Sequence, residues 1–231
     1  MQDYDITQFK TPLFTVDSVL FTVVNDVLKV LMVKRSIEPF TGRWGLPGGF
    51  VDIEQDDNTD MTARRKLIEK TGLSPRYLEQ LQVFSGINRD PRGFSVTSAY
   101  YALVAHQAVA SNIETVEKAS WVNVHELADL AVAFDHKLII ETAHKRLQQK
   151  ALYSMVPIYC CPEQFTVGQL KQVIETIIEK SIQRKTLMRR IESSGMFELV
   201  DEKVQSGGRS AQLYKMKKDV SMTIFERNLS V

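Results

Sequence analysis

The stretch from Phe40 to Leu73, FTGRWGLPGGFVDIEQDDNTDMTARRKLIEKTGL, constrains this chain more than any other. Glycines at 42, 45, 48 and 49 and a proline at 47 mark a loop that runs beside or into a strand. A helical pattern follows over Thr59 to Lys70 and stops at Thr71-Gly72-Leu73. Upstream, Thr15 to Arg35 is two β-branched, apolar runs separated by Asn25-Asp26, the pattern of a hairpin. Further strands are expected near Leu81–Phe84, Ser98–Val104 and Ala119–Val122, and a second helix over Asp135 to Ala151. These elements describe a mixed α/β (α+β) first domain.

The prolines of Tyr153 to Pro162 interrupt the helical spacing, so this segment reads as a connector, with a ligand-binding domain over 1–154 and a second domain over 155–231. In the second, Thr166–Lys180 and Gln183–Ser194 read as two helices with a very short turn between them. Phe197–Val200 and Gln212–Met216 then read as strands around the polar segment Asp201–Ser210. The order is helix, turn, helix, two-stranded wing.

Composition narrows the setting. A length of 231 residues with 44% hydrophobic and 25% charged content suits one large folded domain or two ordinary ones. Cys160 and Cys161 are adjacent and poorly placed to bridge each other, which fits a reducing, cytoplasmic location. The start is polar rather than a basic segment leading into an apolar run, and no stretch approaches the roughly 18 apolar residues of a membrane span. The net charge of +1 divides as −2 over residues 1–150 and +3 over 151–231, a small asymmetry whose importance lies in where the cations fall. No nucleophile triad or Cys/His metal cluster can be assembled, so no catalytic residue and no metal site are assigned.

The segment Leu46 to Leu73 resembles the Nudix box, in which a glycine precedes a glutamate and then a helix carrying Arg-Glu-apolar-x-Glu-Glu-x-Gly-apolar. Here that helix reads Arg65-Lys66-Leu67-Ile68-Glu69-Lys70-Thr71-Gly72-Leu73. The resemblance implies a Nudix sandwich over about residues 10–150, whose helix glutamates would bind divalent metal and activate water against a nucleoside diphosphate linked to another moiety. Residues 66, 69 and 70 share a helix face, and Mg²⁺ needs several carboxylate or phosphate oxygens. Lys66 and Lys70 replace two of these carboxylates and leave Glu69. The upstream glutamate is displaced too: counting forward from Gly49 reaches Gln55, and counting back from Arg65 reaches Asp57. Asp56, Asp57 and Asp60 either rebuild a metal site or form a solvated acidic loop before a helix N-terminus. Lys66 and Lys70 are expected to neutralise a bound diphosphate, against the alternative of solvated lysines paired with Glu69.

Arg43-Trp44, Arg89-Asp90-Pro91-Arg92-Gly93 and Phe134-Asp135-His136 resemble segments of ADP-ribose-type Nudix proteins. The resemblance implies ADP-ribose or a related NAD metabolite as ligand, contacted by Arg43, Trp44, Gly48, Gly49, Lys66, Glu69, Lys70, Arg89, Arg92 and His136, with no cofactor required. A core role for Trp44 and a local hydrogen bond for His136 are the plainer alternatives.

In the second of these helices, Ile182, Leu187, Met188 and Ile191 can face a core while Arg184, Lys185, Arg189 and Arg190 supply four positive charges. Such a helix suits the major groove of double-stranded DNA, with Thr186 as a further contact and Lys203, Arg209 and Lys215 of the wing positioned for phosphates. The alternative is a solvated basic face. Gly208-Arg209-Ser210-Ala211-Gln212-Leu213-Tyr214 resembles the Gly-Arg-Pro-Ala-x-Leu-Tyr wing of the Nudix-related NrtR regulators of NAD biosynthesis, with serine for proline at 210. That resemblance implies a homodimeric winged helix-turn-helix repressor that binds an operator and is released by ADP-ribose through a catalytically silent Nudix domain. The other readings are an active ADP-ribose pyrophosphatase, supported by Glu69 and the acidic loop, and a silent Nudix domain whose C-terminal module binds a protein.

Overall fold

The computed structural model describes residues 5–109, 116–206, 209–226 and 228–229. The expected hairpin pairs β1 (Leu13–Val24) with β2 (Val27–Arg35). Its turn residues Asn25 and Asp26 both have positive φ, 50° and 60°, which a two-residue turn matching the strand twist requires and which Asn and Asp tolerate. The glycine segment contributes two short strands, β3 (Trp44–Gly45) and β4 (Gly48–Phe50), followed by β5 (Tyr77–Gly86), β6 (Ser95–Leu103) and β7 (Val116–Asn123). The sheet runs β3-β2-β1-β6-β5, with β4 also on β1 and β7 also on β2. The β1–β6 pairing is parallel, Leu13 opposite Ser95 through Phe21 opposite Leu103.

Period-2 alternation along β1 distributes the core between the two faces. Val16 and Leu20 meet Ala63 and Leu67 of α1 (Thr59–Thr71), whereas Val19 and Phe21 meet Ile139, Ile140, Ala143 and Leu147 of α2 (His136–Tyr153). The apolar stripe of α1 is narrow, so its ends matter. Asn58 caps the first turn by accepting from the Met61 amide, and Gly72 closes the last at φ 71° with its N–H on the Ile68 carbonyl; an N-cap of this kind contributes about 1 kcal/mol. Fixing the helix at both ends leaves its Lys66 and Lys70 stripe to face a cavity.

The second unit contains α3 (Val167–Ile178) and α4 (Arg184–Ser194), with a three-stranded sheet of β8 (Gln164–Thr166), β9 (Phe197–Ser206) and β10 (Arg209–Met216) in the order β8-β10-β9. Thr166 and Gln169 make a reciprocal capping box at the start of α3. The helix-turn-helix and wing are as expected, but the wing is longer. Asp201–Ser206 continues β9 and Arg209–Ala211 begins β10, paired through Gln205–Ser210 and Val204–Ala211. Cross-strand bonding overrides the polar composition there; Gly208 lies outside the described residues.

The supposed connector is a correction of another kind. Val156–Cys160 is a 3₁₀ turn, and Met155, Val156, Pro157, Ile158, Cys160 and Cys161 are all buried. Its prolines end one helix, but its apolar residues fill a core that passes without a break from Leu147 and Ala151 to Phe165, Leu170, Ile174 and Leu187. The tail adds a strap. The Phe225 and Leu229 amides donate to the Tyr153 and Leu152 carbonyls at 2.7 Å, Thr223 Oγ1 donates to the Ser194 carbonyl, and the Arg190 guanidinium lies 4.4 Å from the Phe225 ring centre. The end of α4 is thereby tied to the end of α2.

His136, the first residue of α2, reaches back to the glycine segment, its Nδ1 accepting from the Leu46 amide at 2.8 Å. The ring is 4% exposed, and burial lowers its pKa from 6.5 despite the nearby Asp17 and Asp135 carboxylates. A histidine that binds its proton less well folded than unfolded contributes stability that is complete above about pH 6.5 and lost as the pH falls through the folded-state value. His136→Asn keeps an acceptor for Leu46 and removes the titration. Its loss of Tm between pH 7.5 and pH 5 is expected to be shallower than that of the wild type, measured by thermal denaturation; equal slopes would refute the assignment.

Candidate functional site

Beside the glycine strands lies a cavity of about 280 Å³ lined by Asp17, Arg35, Gly48, Gly49, Phe50, Lys66, Lys70, Arg89, Asp90, Arg92, Phe134 and His136, among others. Its floor depends on glycine. A Cβ at Gly48 would come within 2.3 Å of the Val16 carbonyl oxygen and 2.4 Å of Asp17 Oδ1, and one at Gly49 would meet Lys66 Cε at 3.1 Å. The first is a clash with backbone that cannot give way; the second presses on a flexible side chain and so on the cation itself.

Three devices hold the cations in place. Arg89, 7% exposed, is bidentate on Asp135 at 3.0 and 2.9 Å, donates to Ser95 Oγ, and lies 3.6 Å from Asp17. Arg92 is bidentate on Asp90 and covers the Phe50 ring. Arg35 donates to the Pro39 and Ile37 carbonyls and stacks 4.9 Å over Phe134, whose φ of 54° turns its ring toward His136. Burial, then the charge of Lys66, lowers the pKa of Lys70; burial, then Arg92, does the same for Arg35. Negative charge in the cavity would favour the charged form of both groups.

The acidic side of the helix is engaged elsewhere. Asp56, its side chain 1% exposed, is clamped by Arg65 Nε and Nη2 and also accepts from the Asp52 amide and Thr62 Oγ1. The Arg65 hydrogen bonds hold its carboxyl well below the usual range. The two counts from the sequence, to Gln55 and to Asp57, thus bracket the residue that meets Arg65, and the picture of a wholly solvated acidic loop is wrong at that position. Asp57 is exposed and Asp60 pairs with Arg64. Glu69 accepts from Arg65 at 2.7 Å and Lys66 at 2.9 Å. Burial would raise its carboxyl, but Lys66 and Arg65 together keep it below the ordinary value. Among the described residues no group of three or more His, Cys, Asp or Glu is placed to hold a metal ion.

Of the ten expected ligand contacts, Gly48, Gly49, Lys66, Lys70, Arg89, Arg92 and His136 meet at this cavity. Three do not line it. Arg43 is exposed and stacks over Phe40. Trp44 packs against the main core, its backbone bonded to Ala131 and Ala133, because β3 pairs with β2 and places its side chain over the apolar face. Glu69 turns to its two basic neighbours. Sequence reasoning missed Asp17, Arg35, Asp90 and Phe50; Asp17 is the one charged residue of β1, a signal that was available.

The second surface is on α4. Arg184, Lys185 and Arg189 are exposed and Thr186 is half-buried, on the side opposite Leu187 and Ile191. Arg190 is 7% exposed beneath the strap and packs on Phe225, so it is not placed to meet DNA; it lies on the buried side of the helix with Leu187. On the wing, Lys203 is exposed, Lys215 pairs with Glu198 at 3.1 Å, and Arg209 opens β10 beside the tip.

Comparison with known proteins agrees with this division. Residues 15–142 match the NUDIX domain model, and residues 157–216 match the NrtR DNA-binding winged helix domain model. The chain is 39% identical, over 93% of its length and 86% of the relative's, to the ADPR responsive transcriptional repressor NtrR of Acinetobacter baylyi. It superposes on Shewanella oneidensis NrtR in complex with a 27mer DNA with a TM-score of 0.87 and 44% identity, covering 94% of this chain and 99% of that one. The NUDIX domain of the same Shewanella protein, in a cocrystal with ADP ribose, matches 63% of this chain and 94% of its own with a TM-score of 0.60 and 46% identity. With a basic, carboxylate-poor Nudix cavity on one side and a winged helix fused through a shared core on the other, the chain belongs to the NrtR family of Nudix-related, DNA-binding proteins.

Proposed function

We propose that this protein is a homodimeric transcriptional repressor of NAD biosynthesis genes, acting in the cytoplasm, that binds a double-stranded operator through residues 155–231 and releases it when residues 1–154 bind ADP-ribose. The observation that carries this reading is the placement of Lys66 and Lys70 on the cavity wall, where the Nudix box would set metal-binding carboxylates. They take the diphosphate charge themselves, and with Glu69 and Asp56 consumed by Arg65 the site binds without activating water. Arg35 adds a fixed charge; Arg89 and His136 act by holding the cavity's shape, and no cofactor is needed. On DNA, Arg184, Lys185, Thr186 and Arg189 enter the major groove and Arg209 with Lys203 reaches phosphates. A two-fold dimer implies a near-palindromic operator with half-sites one helical turn or a multiple apart. Ligand relieves repression only if ADP-ribose prefers the arrangement of domains that DNA does not.

Lys66→Ala and Lys70→Ala are each expected to weaken ADP-ribose binding measured by calorimetry in EDTA. The loss should be about tenfold or more, since hydrogen bonds to charged groups are worth about 1.5–3 kcal/mol. Unchanged affinity in both would exclude the lysines from the diphosphate site, and metal-dependent release of AMP by the wild type would favour a hydrolase.

For DNA, Arg189→Ala and Arg190→Ala separate the exposed cation from the buried one. The first is expected to reduce the slope of log K against log salt by about 1 while sparing Tm. The second is expected to lower Tm by several degrees through loss of the Phe225 contact and leave the slope unchanged. The reverse assignment would place Arg190, not Arg189, on the phosphates.

A further inference from the structure

Between the ligand cavity and the recognition helix lies a contact that neither site uses. α2 begins at the cavity wall with His136, and two turns on, roughly 12 Å along the axis, it presents His144 to the second unit. His144 Nε2 is buried and has no hydrogen-bond partner among the described residues, an uncommon state for such an atom. It points at Glu179 Oε1, 3.8 Å away, and the same oxygen lies 3.4 Å from Nε2 of His125, in the 3₁₀ turn after β7. The two imidazoles stand edge to face, 6.2 Å apart, with Phe21 of β1 on the other side of His144.

Glu179 is unusual in its own right. It caps α3 in the left-handed conformation, φ 56° and ψ 30°, a position that glycine fills at most helix ends of this type and that a side chain occupies under strain. It is also the first residue of the turn between α3 and α4. Across that turn the Ile182 amide donates to Glu175 Oε1 at 2.7 Å, and α4 starts at Arg184. The backbone of Glu179 therefore helps set the angle of the recognition helix, while its carboxylate is directed to two histidines of the ligand domain.

Resting on the reading of the protein as an ADP-ribose-responsive DNA binder, we propose that Glu179 is the positioning residue through which α2 and His144 transmit the state of the ligand cavity to the recognition helix, and that its histidine partners make this transmission proton-dependent. The coupling element is one rigid helix with the cavity at one end and the helix-turn-helix turn against its flank, a contiguous physical route. Glu179 and His125 are the charged or titratable groups that act on His144 here. Burial lowers the pKa of His144, and Glu179 offsets part of that effect. Acidification through the range below pH 6.5 therefore charges His144 against the cost of its burial while strengthening its attraction to Glu179, which alters the balance of the junction.

The test uses the full-length protein, an operator fragment and ADP-ribose. It measures the factor by which saturating ADP-ribose weakens operator binding at pH 7.5 and pH 5.5 for the wild type, Glu179→Gln, His144→Phe and the double variant. Each single variant is expected to cut that factor at pH 7.5 threefold or more, with no further loss in the double. Affinity for operator alone, and for ADP-ribose alone, should change less than threefold. The wild-type factor is expected to differ between the two pH values by at least threefold more than the His144→Phe factor, in which His136 and His125 still titrate. Glu179→Gly supplies a readout that a merely structural role would not give: Tm should rise by about 2 °C or more as the strain is relieved, while coupling falls. Wild-type coupling retained in all variants, or single losses that simply add, would overturn the proposal while leaving the functional reading intact. A wild type whose operator binding ignores ADP-ribose would overturn both.

Discussion

The bond from the Leu46 amide to His136 Nδ1 is the constraint on which the rest of the ligand domain depends. It ties the glycine strands to the first residue of α2, and so fixes a segment that leaves no room for a Cβ at Gly48 against the start of that helix. Around it, Asp17, Arg89 and Asp135 form a buried polar group drawn from β1, the segment between β5 and β6, and the cap of α2. A buried cation is tolerable only when its donors are met, and Arg89 satisfies three of them on Asp135 and Ser95. The result is a rigid cavity wall that holds Arg89 in place, while Lys66 and Lys70 of α1 face the same cavity.

That division supports the proposed reading, in which a fold associated with hydrolysis would hold a phosphate chain without cutting it. A metal-dependent site places carboxylates on the wall and lets the cation arrive with the substrate. Here the cation is covalent. Lys66 and Lys70 stand on that wall, and two acids of the box segment are engaged by Arg65, which clamps Asp56 on one side and Glu69 on the other. A single arginine thus preserves the loop conformation and occupies both acids at once. Burial first, and the charge of Lys66 second, lower the affinity of Lys70 for its proton, and negative charge beside it would offset that cost.

Much of this was legible before any coordinates. The hairpin, glycine loop, two long helices of the first unit, helix-turn-helix and wing all follow from local pattern, because each is specified by turn chemistry or periodicity within a short window. What could not be read were features set by long-range pairing. Trp44 looked available beside Arg43, yet β3 pairing with β2 turns it into the core. Arg190 looked like the fourth cation of a basic face, yet a tail more than thirty residues further along the chain returns to cover it. Asp17, Arg35 and Phe50 come from three different strands, and only the pairing of β2 and β4 with β1 brings them to one cavity. The loop length defeated a count from either end, and Asp56 was recognisable only by its partner.

The buried junction has a consequence for regulation. Two domains joined by a loose linker would move independently, and ligand binding in one would not bias the other. Here Met155 to Cys161 packs into a core common to both, and the strap from Phe225 to Leu229 closes the far side. Packed cores move between discrete arrangements rather than deforming continuously, so a shift at the start of α2 must be absorbed at a few contacts or passed on whole. A free-energy preference of ADP-ribose for one arrangement by about 3 kcal/mol corresponds to a change of about 150-fold in operator affinity. Such a preference requires only that the helix ending in the strap, and beginning in the cavity, sit differently when the diphosphate is bound.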